Sequence, residues 1–341
     1  MTVSEEDIIL NTTIALLAVR EAGFIVGPIA KLLGLVYNAI FNIIHSINPV
    51  NALGICIIVF TILVKVILLP LLVKQQKSSL AMQKIQPELD KIKKKYEGKR
   101  DLESQNKMSL EMQKLQQDNN ISMFGGCLPL LIQLPILYAL WYVFQQPNAY
   151  VDIIGQNYDA ITNLFMSMPV ELRLDALTDV IINHKLTIDV AVAEEIKYLL
   201  SNISINEWDA IIAASGTYGE ELSALVATKN ELESFLMFNL VSNPGLKFPG
   251  IIIPLLAGGT TYIQSKALTN GQNTQSDSEN PAAGTMKMMN VMMPVMMGVM
   301  TISLPAALGI YWTVSNIIQA VMTLFVNKYL KVKESNVGEA K

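Results

Sequence analysis

Apolar residues in this chain gather into five windows, residues 52–73, 124–146, 249–266, 288–304 and 306–327, and the stretches between them hold nearly all of its charge. Each window is near the ~20 residues needed to span the hydrocarbon of a bilayer. No water is available there for backbone N–H and C=O groups, so a run of this kind must form a helix that bonds them internally. Of the 341 residues, 51% are hydrophobic and 16% are charged, where ordinary globular chains carry about 25% charged residues. The expected fold class is all-α, a polytopic membrane protein with five transmembrane helices.

The loops orient the spans. Residues 74–122 hold eleven Lys/Arg, whereas 147–248 hold five (Arg173, Lys185, Lys197, Lys229, Lys247) against fourteen Asp/Glu. Positive residues stay on the cytoplasmic side, which predicts 74–122 inside and 147–248 outside. Continuing the count puts the loop 267–287 inside, the junction between the last two spans outside, and the tail 328–341 with Lys328, Lys331 and Lys333 inside. The N-terminal segment 1–23 is then outside. Glu5, Glu6 and Asp7 precede its short apolar stretch, the wrong charge for a cleaved signal peptide. With no cysteine before Cys56, an N-terminal lipoprotein anchor is not expected. Residues 24–47 carry Gly27, Pro28 and Gly34, and Asn38, Asn42 and His45 at spacings of four and three on one face. They read as an amphipathic helix in the outer interface, since counting them as a span would invert every lysine placement downstream.

Within 74–122, Met82, Ile85, Leu89, Ile92 and Tyr96 recur at heptad spacing. Gly98 breaks the run, Asp101 can cap a new helix, and Met108, Met112 and Leu115 repeat the theme. The expectation is an antiparallel cytoplasmic helical hairpin. Seven acidic residues interleave with its lysines, which argues against DNA and leaves a ribosome or anionic headgroups as contacts.

Lys65 lies inside the first window, FTILVKVILLPLLV, where a central lysine costs about 2.5–3.5 kcal/mol. It could snorkel towards the end of the window, ~12 Å on. It could pair with an intramembrane acid, but no window contains Asp or Glu. It could face a water-filled cavity, and the other windows supply a lining for one. Thr61 is one turn earlier, Gln133 sits between Pro129 and Pro135, and Thr260, Thr261 and Gln264 crowd one side of the third window. The fifth carries Tyr311, Trp312, Ser315, Asn316 and Gln319. Singly, each reads as an interhelical hydrogen bond worth ~0.6 kcal/mol; together with Lys65 they read as one amphiphilic groove. The fourth window, MKMMNVMMPVMMGVM, sets methionines on one face, with Met292, Met293, Met296 and Met297 at its centre. Such a face suits varied apolar partners, or ordinary packing.

The series FTILVKVILLPLLVKQQKSSLAMQKIQPEL, GGCLPLLIQLPILYALW, IIIPLLAGGTTYIQSKAL, MMPVMMGVM and LGIYWTVSNIIQ resembles the YidC-type membrane protein insertase family over residues 24–330, apart from much of the outer loop. The resemblance implies an insertase and chaperone of the bacterial plasma membrane, multi-pass, that passes nascent membrane proteins into lipid alone or beside the Sec translocon. It implies a groove open to the cytoplasm and closed outside. The family's groove arginine falls on Lys65, its threonine on Thr61, its third-span glutamine on Gln264 and its aromatic pair on Tyr311 and Trp312; Gln133 and Asn316 lie in matching motifs. Lysine in place of arginine loses the planar fork. The lipoprotein signal of Gram-positive-type members is absent, and the outer loop is enlarged. Its stretches 191–202 and 220–232 read as helical, so a small helical cap near the membrane surface is expected.

Neither an enzyme nor a cofactor is expected. The histidines, His45 and His184, lie outside the windows, so no Ser–His pair or metal cluster can assemble there. A small-solute or ion transporter is the main alternative, although no internal repeat of the transporter kind is visible.

Overall fold

The computed structural model describes residues 26–99, 101–119, 121, 128–269 and 281–338. The expected N-terminal segment 1–23, Cys127 and much of the expected loop 267–287 lie outside these residues. The chain is mostly helical with apolar helices of membrane-spanning character. By length and composition, Val26–Ile47 and Ala306–Tyr329 qualify as spans, and the bent pair Ala52–Ile67 and Leu69–Lys95 adds a third if taken as one. Among the described residues the exception to an all-α fold is a small antiparallel hairpin, β1 (Ser234–Phe235) and β2 (Phe238–Asn239).

The chain divides into two compact units. The first holds the described residues up to Phe60 together with Pro135–Ala257 and Gly298–Trp312. Here α1 (Val26–Ile47) buries Ala30, Gly34, Tyr37 and Phe41, one face at spacings of four and three. Tyr37 meets Phe60 of α2 (Ala52–Ile67) at 5.6 Å between ring centroids, and Phe144 of α5 (Leu128–Gln145) at 5.5 Å. Gly34 leaves room for the Tyr150 ring, which a Cβ would strike at 2.3 Å. The polar face read from the sequence turns to the loop: Asn38 Nδ2 donates to Asp152 Oδ2 at 2.7 Å, and the Asp152 backbone N–H donates to Asn38 Oδ1 at 3.1 Å.

Residues 147–232 build a helical domain: α6 (Pro147–Tyr150), α7 (Asp152–Ser167), α8 (Val170–Asn183), α9 (Ala193–Asn202), α10 (Trp208–Ala214) and α11 (Gly219–Leu232). Its core is aliphatic and aromatic, with Ile154, Tyr158, Ile161 and Phe165 of α7 buried at helical spacing. Each fully buried side chain of this size contributes roughly 1.5–3 kcal/mol. Two buried cations organise the rest. Arg173 donates from Nε to the Phe165 carbonyl (2.8 Å), from Nη1 to that of Val190 (2.6 Å), and from Nη2 to those of Met166 and Met168 (both 2.9 Å). The guanidinium thereby satisfies carbonyls at the C-terminal end of α7, where the helix dipole favours a cation. Lys229 pairs with Glu233 at 2.8 Å, both buried, and Tyr158 Oη donates to Glu233 Oε1 at 2.8 Å. Burial and then the adjacent Glu233 push the Tyr158 hydroxyl well above its ordinary range, so it stays a donor.

The second unit holds Thr61–Leu134, Gly258–Met297 and the described part of Thr313–Lys341. The expected 52–73 span is not one straight helix. The chain breaks at Leu68, and α3 (Leu69–Lys95) departs at 61°. Pro70, in the first turn of α3, has no N–H to give to the preceding turn, and its ring crowds the carbonyl four residues back. Once past the bend, α3 runs without interruption into the charged segment. It stops near Gly98, whose φ of +77° suits glycine, and Asp101 caps α4 (Leu102–Asp118) by accepting from the Ser104 N–H at 2.8 Å. Ile85 and Leu89 pack with Ile121, and Ala81, Met82, Met112 and Leu115 surround them. Tyr96 is buried, Ile92 and Met108 are partly so, and Glu111 receives both Lys95 Nζ (2.6 Å) and Tyr96 Oη (2.9 Å). The remaining long helices are α12 (Ile252–Thr269), α13 (Pro281–Ile302) and α14 (Ala306–Gly338).

Candidate functional site

In the second unit α14 presents a polar face at residues 316, 319, 323 and 327, spacings of three, four and four. These share one side of the helix over about 16 Å. Three of the four each engage a different element. Asn316 Nδ2 donates to Thr261 Oγ1 at 2.8 Å and to Thr260 Oγ1 at 3.3 Å, both on α12. Gln319 Oε1 accepts from Lys65 Nζ at 3.2 Å. Thr323 is fully buried, and its Oγ1 meets no partner among the described residues. Asn327 Oδ1 accepts from Gln76 Nε2 of α3 at 2.7 Å. One further bond joins α3 to α12, from Gln83 Nε2 to the Leu268 carbonyl at 3.4 Å.

Lys65 is therefore part-buried, and its partner is an uncharged amide carbonyl. Its position follows from the local chain: it sits three residues before the break at Leu68, in the last turn of α2. The side-chain amide brings no formal negative charge to the lysine.

Of the residues expected at the site, Thr61, Lys65, Gln133, Gln264 and Asn316 all belong to this unit. Thr61 and Asn316 are buried, and Gln133 and Gln264 are partly so. Tyr311 and Trp312 belong to the first unit and are buried there, Tyr311 lying 6.0 Å from Phe144 between ring centroids. On α13, Met292, Met293 and Met296 are about half exposed and Met297 partly buried. That helix turns most of its described circumference outward, with Pro294 buried. Sequence reading missed Gln76, Thr323 and Asn327. The signal was present, because the polar period that begins at Asn316 continues unbroken to Asn327 within the fifth window.

No group of His, Cys, Asp and Glu among the described residues is arranged to hold a metal ion. What these residues form is one lysine and a ladder of neutral donors and acceptors among apolar helices.

Comparison with known proteins places the chain among membrane proteins. The profile of the family described as 60Kd inner membrane protein matches residues 43–334. A "Membrane protein insertase YidC" of Clostridium perfringens is 30% identical over 306 residues, covering 89% of this chain and 91% of that protein. One of the same name from Oceanobacillus iheyensis is 30% identical, with 82% and 77% covered. The "Membrane protein insertase MisCA" of Bacillus subtilis is 29% identical, with 80% and 69% covered.

Proposed function

Because this chain belongs to the 60Kd inner membrane protein family, that of the YidC-type insertases, we propose that it inserts nascent membrane proteins into a bacterial plasma membrane and helps them fold. In this reading the five apolar windows cross the bilayer, the N-terminus is outside and the C-terminus is cytoplasmic. The helix at 24–47 lies in the outer interface, and the hairpin makes first contact with the nascent chain or ribosome. The Sec translocon is a partner for some substrates and dispensable for others.

The observation that carries the reading is Lys65, held among apolar helices by the uncharged side-chain amide of Gln319. A groove lined by Thr61, Lys65, Gln133, Gln264 and Asn316 of the second unit admits water and shortens the dry path a hydrophilic tail must cross. Lys65 attracts carboxylates of that tail. The methionine face of α13, with Met292, Met293, Met296 and Met297, receives the apolar segment, whose length and sequence vary from substrate to substrate. Transfer of ~20 apolar residues into lipid is favourable in itself, so release into the bilayer needs no nucleotide.

The test replaces Lys65 by Arg, Leu or Glu and measures insertion of a single-span substrate with an acidic N-terminal tail into proteoliposomes. Arg should support insertion, Leu should reduce it, and Glu should reduce it most. Equal insertion by Lys65→Leu would remove the charge from the mechanism.

A further inference from the structure

We propose that the β1–β2 hairpin is a membrane anchor, its turn residues Leu236 and Met237 inserted into the lipid interface beside the ends of the apolar helices. The proposal rests on those helices crossing the membrane, not on the groove.

The turn is chemically odd for one facing water. Phe235 pairs with Phe238, so Leu236 and Met237 form a two-residue connection. Leu236 has φ +54°, a left-handed conformation that glycine or asparagine adopts at less cost in such turns. For a leucine, whose Cβ crowds the following carbonyl there, it is strained. Both turn residues project outward, Leu236 68% and Met237 62% exposed. Strain at Leu236 and bare apolar surface at both turn residues point to a surrounding that favours hydrocarbon.

The height of the hairpin is fixed by bonds to helix ends within the first unit. The Leu236 N–H donates to Oδ1 of Asn51, the residue just before α2. Phe235 lies against Gly54 in the first turn of α2, where a Cβ would come within 2.0 Å of its ring. The strand after the turn continues to α14: the Ala306 and Ala307 N–H groups donate to the carbonyls of Ser242 and Leu240, both at 2.9 Å. The tip is therefore held level with the starts of two apolar helices. Just before a third, α12, Leu246 and Phe248 are exposed by 64% and 78%, and the bare apolar surface continues into that helix at Leu255. Bare apolar side chains thus occur both at the hairpin tip and at the entry to α12, within the same unit. Lys247 between Leu246 and Phe248 is exposed and placed to reach headgroups, with apolar neighbours below it.

The experiment uses the full-length chain in lipid nanodiscs, with Cys56 and Cys127 replaced by serine and a nitroxide at Met237→Cys. Collision with oxygen, which concentrates in lipid, is compared with collision with a water-soluble nickel complex. Oxygen should dominate several-fold at Met237→Cys and at Leu246→Cys, whereas Glu221→Cys on the helical domain should show the reverse. Nickel accessibility at Met237→Cys equal to that of Glu221→Cys overturns the proposal. So does a label shielded from both reagents, which would mean that a second copy or another protein covers the tip.

Discussion

Arg173 illustrates how one residue can determine a local fold. Its guanidinium is 4% exposed and bonded to four backbone carbonyls from α7 and the chain that follows it. Arg173→Met would strand those carbonyls, each buried acceptor contributing a penalty of order 1 kcal/mol. The expected loss is roughly 3 kcal/mol, read as faster amide exchange across α7 to α9 in the intact protein. Arg173→Lys keeps the charge but not the fork and should fall between the two. Wild-type protection in Arg173→Met would show that these carbonyls find other partners. Arg173 was noticed in the sequence only as a charge, since nothing in its neighbours announces a cage of carbonyls drawn from residues up to seventeen positions away.

At the scale of elements, the break between α2 and α3 is attributed to Pro70. In Pro70→Ala the missing N–H returns, and the 61° bend should relax. Spin labels at Leu63→Cys and Lys77→Cys, both within the second unit, would separate towards the ~21 Å of a straight helix. An unchanged distance would assign the bend to the packing of buried Leu72 and Gln76 instead. Features whose chemistry is local were legible in the sequence: glycine at a left-handed turn, an aspartate cap three residues before the N–H it receives, and the helices at 193–202 and 219–232. What escaped depends on distant partners. The effect of Pro70 was hidden because the apolar run continues past it. Ile121 joins the hairpin core from beyond α4, outside any heptad. The Leu236–Met237 turn carries none of the residues that ordinarily mark a turn. At the candidate site the polar period of α14 was legible, but the pairing of Gln76 with Asn327 across 251 positions was not.

Taken whole, the molecule is electrically lopsided along its sequence. Residues 147–248 carry fourteen carboxylates and five Lys/Arg, of which Arg173 and Lys229 are buried, while 74–122 carry eleven Lys/Arg and seven acids. The proposed topology predicts that an impermeant maleimide on intact cells labels Glu220→Cys, and that Lys107→Cys reacts only after permeabilisation. The opposite pattern would mean that Val26–Ile47 crosses the bilayer and that every later segment changes side. The seam along α14 has a consequence of its own. Amide and hydroxyl contacts between membrane helices average about 0.6 kcal/mol each, close to thermal energy. Any one of them can open while the others keep the helices in register, and in the proposed reading a guest amide, which both donates and accepts, restores the bonds it displaces. In the proposed insertase such a seam would work like a zip with interchangeable teeth, a polar chain entering and leaving by exchanging partners one at a time.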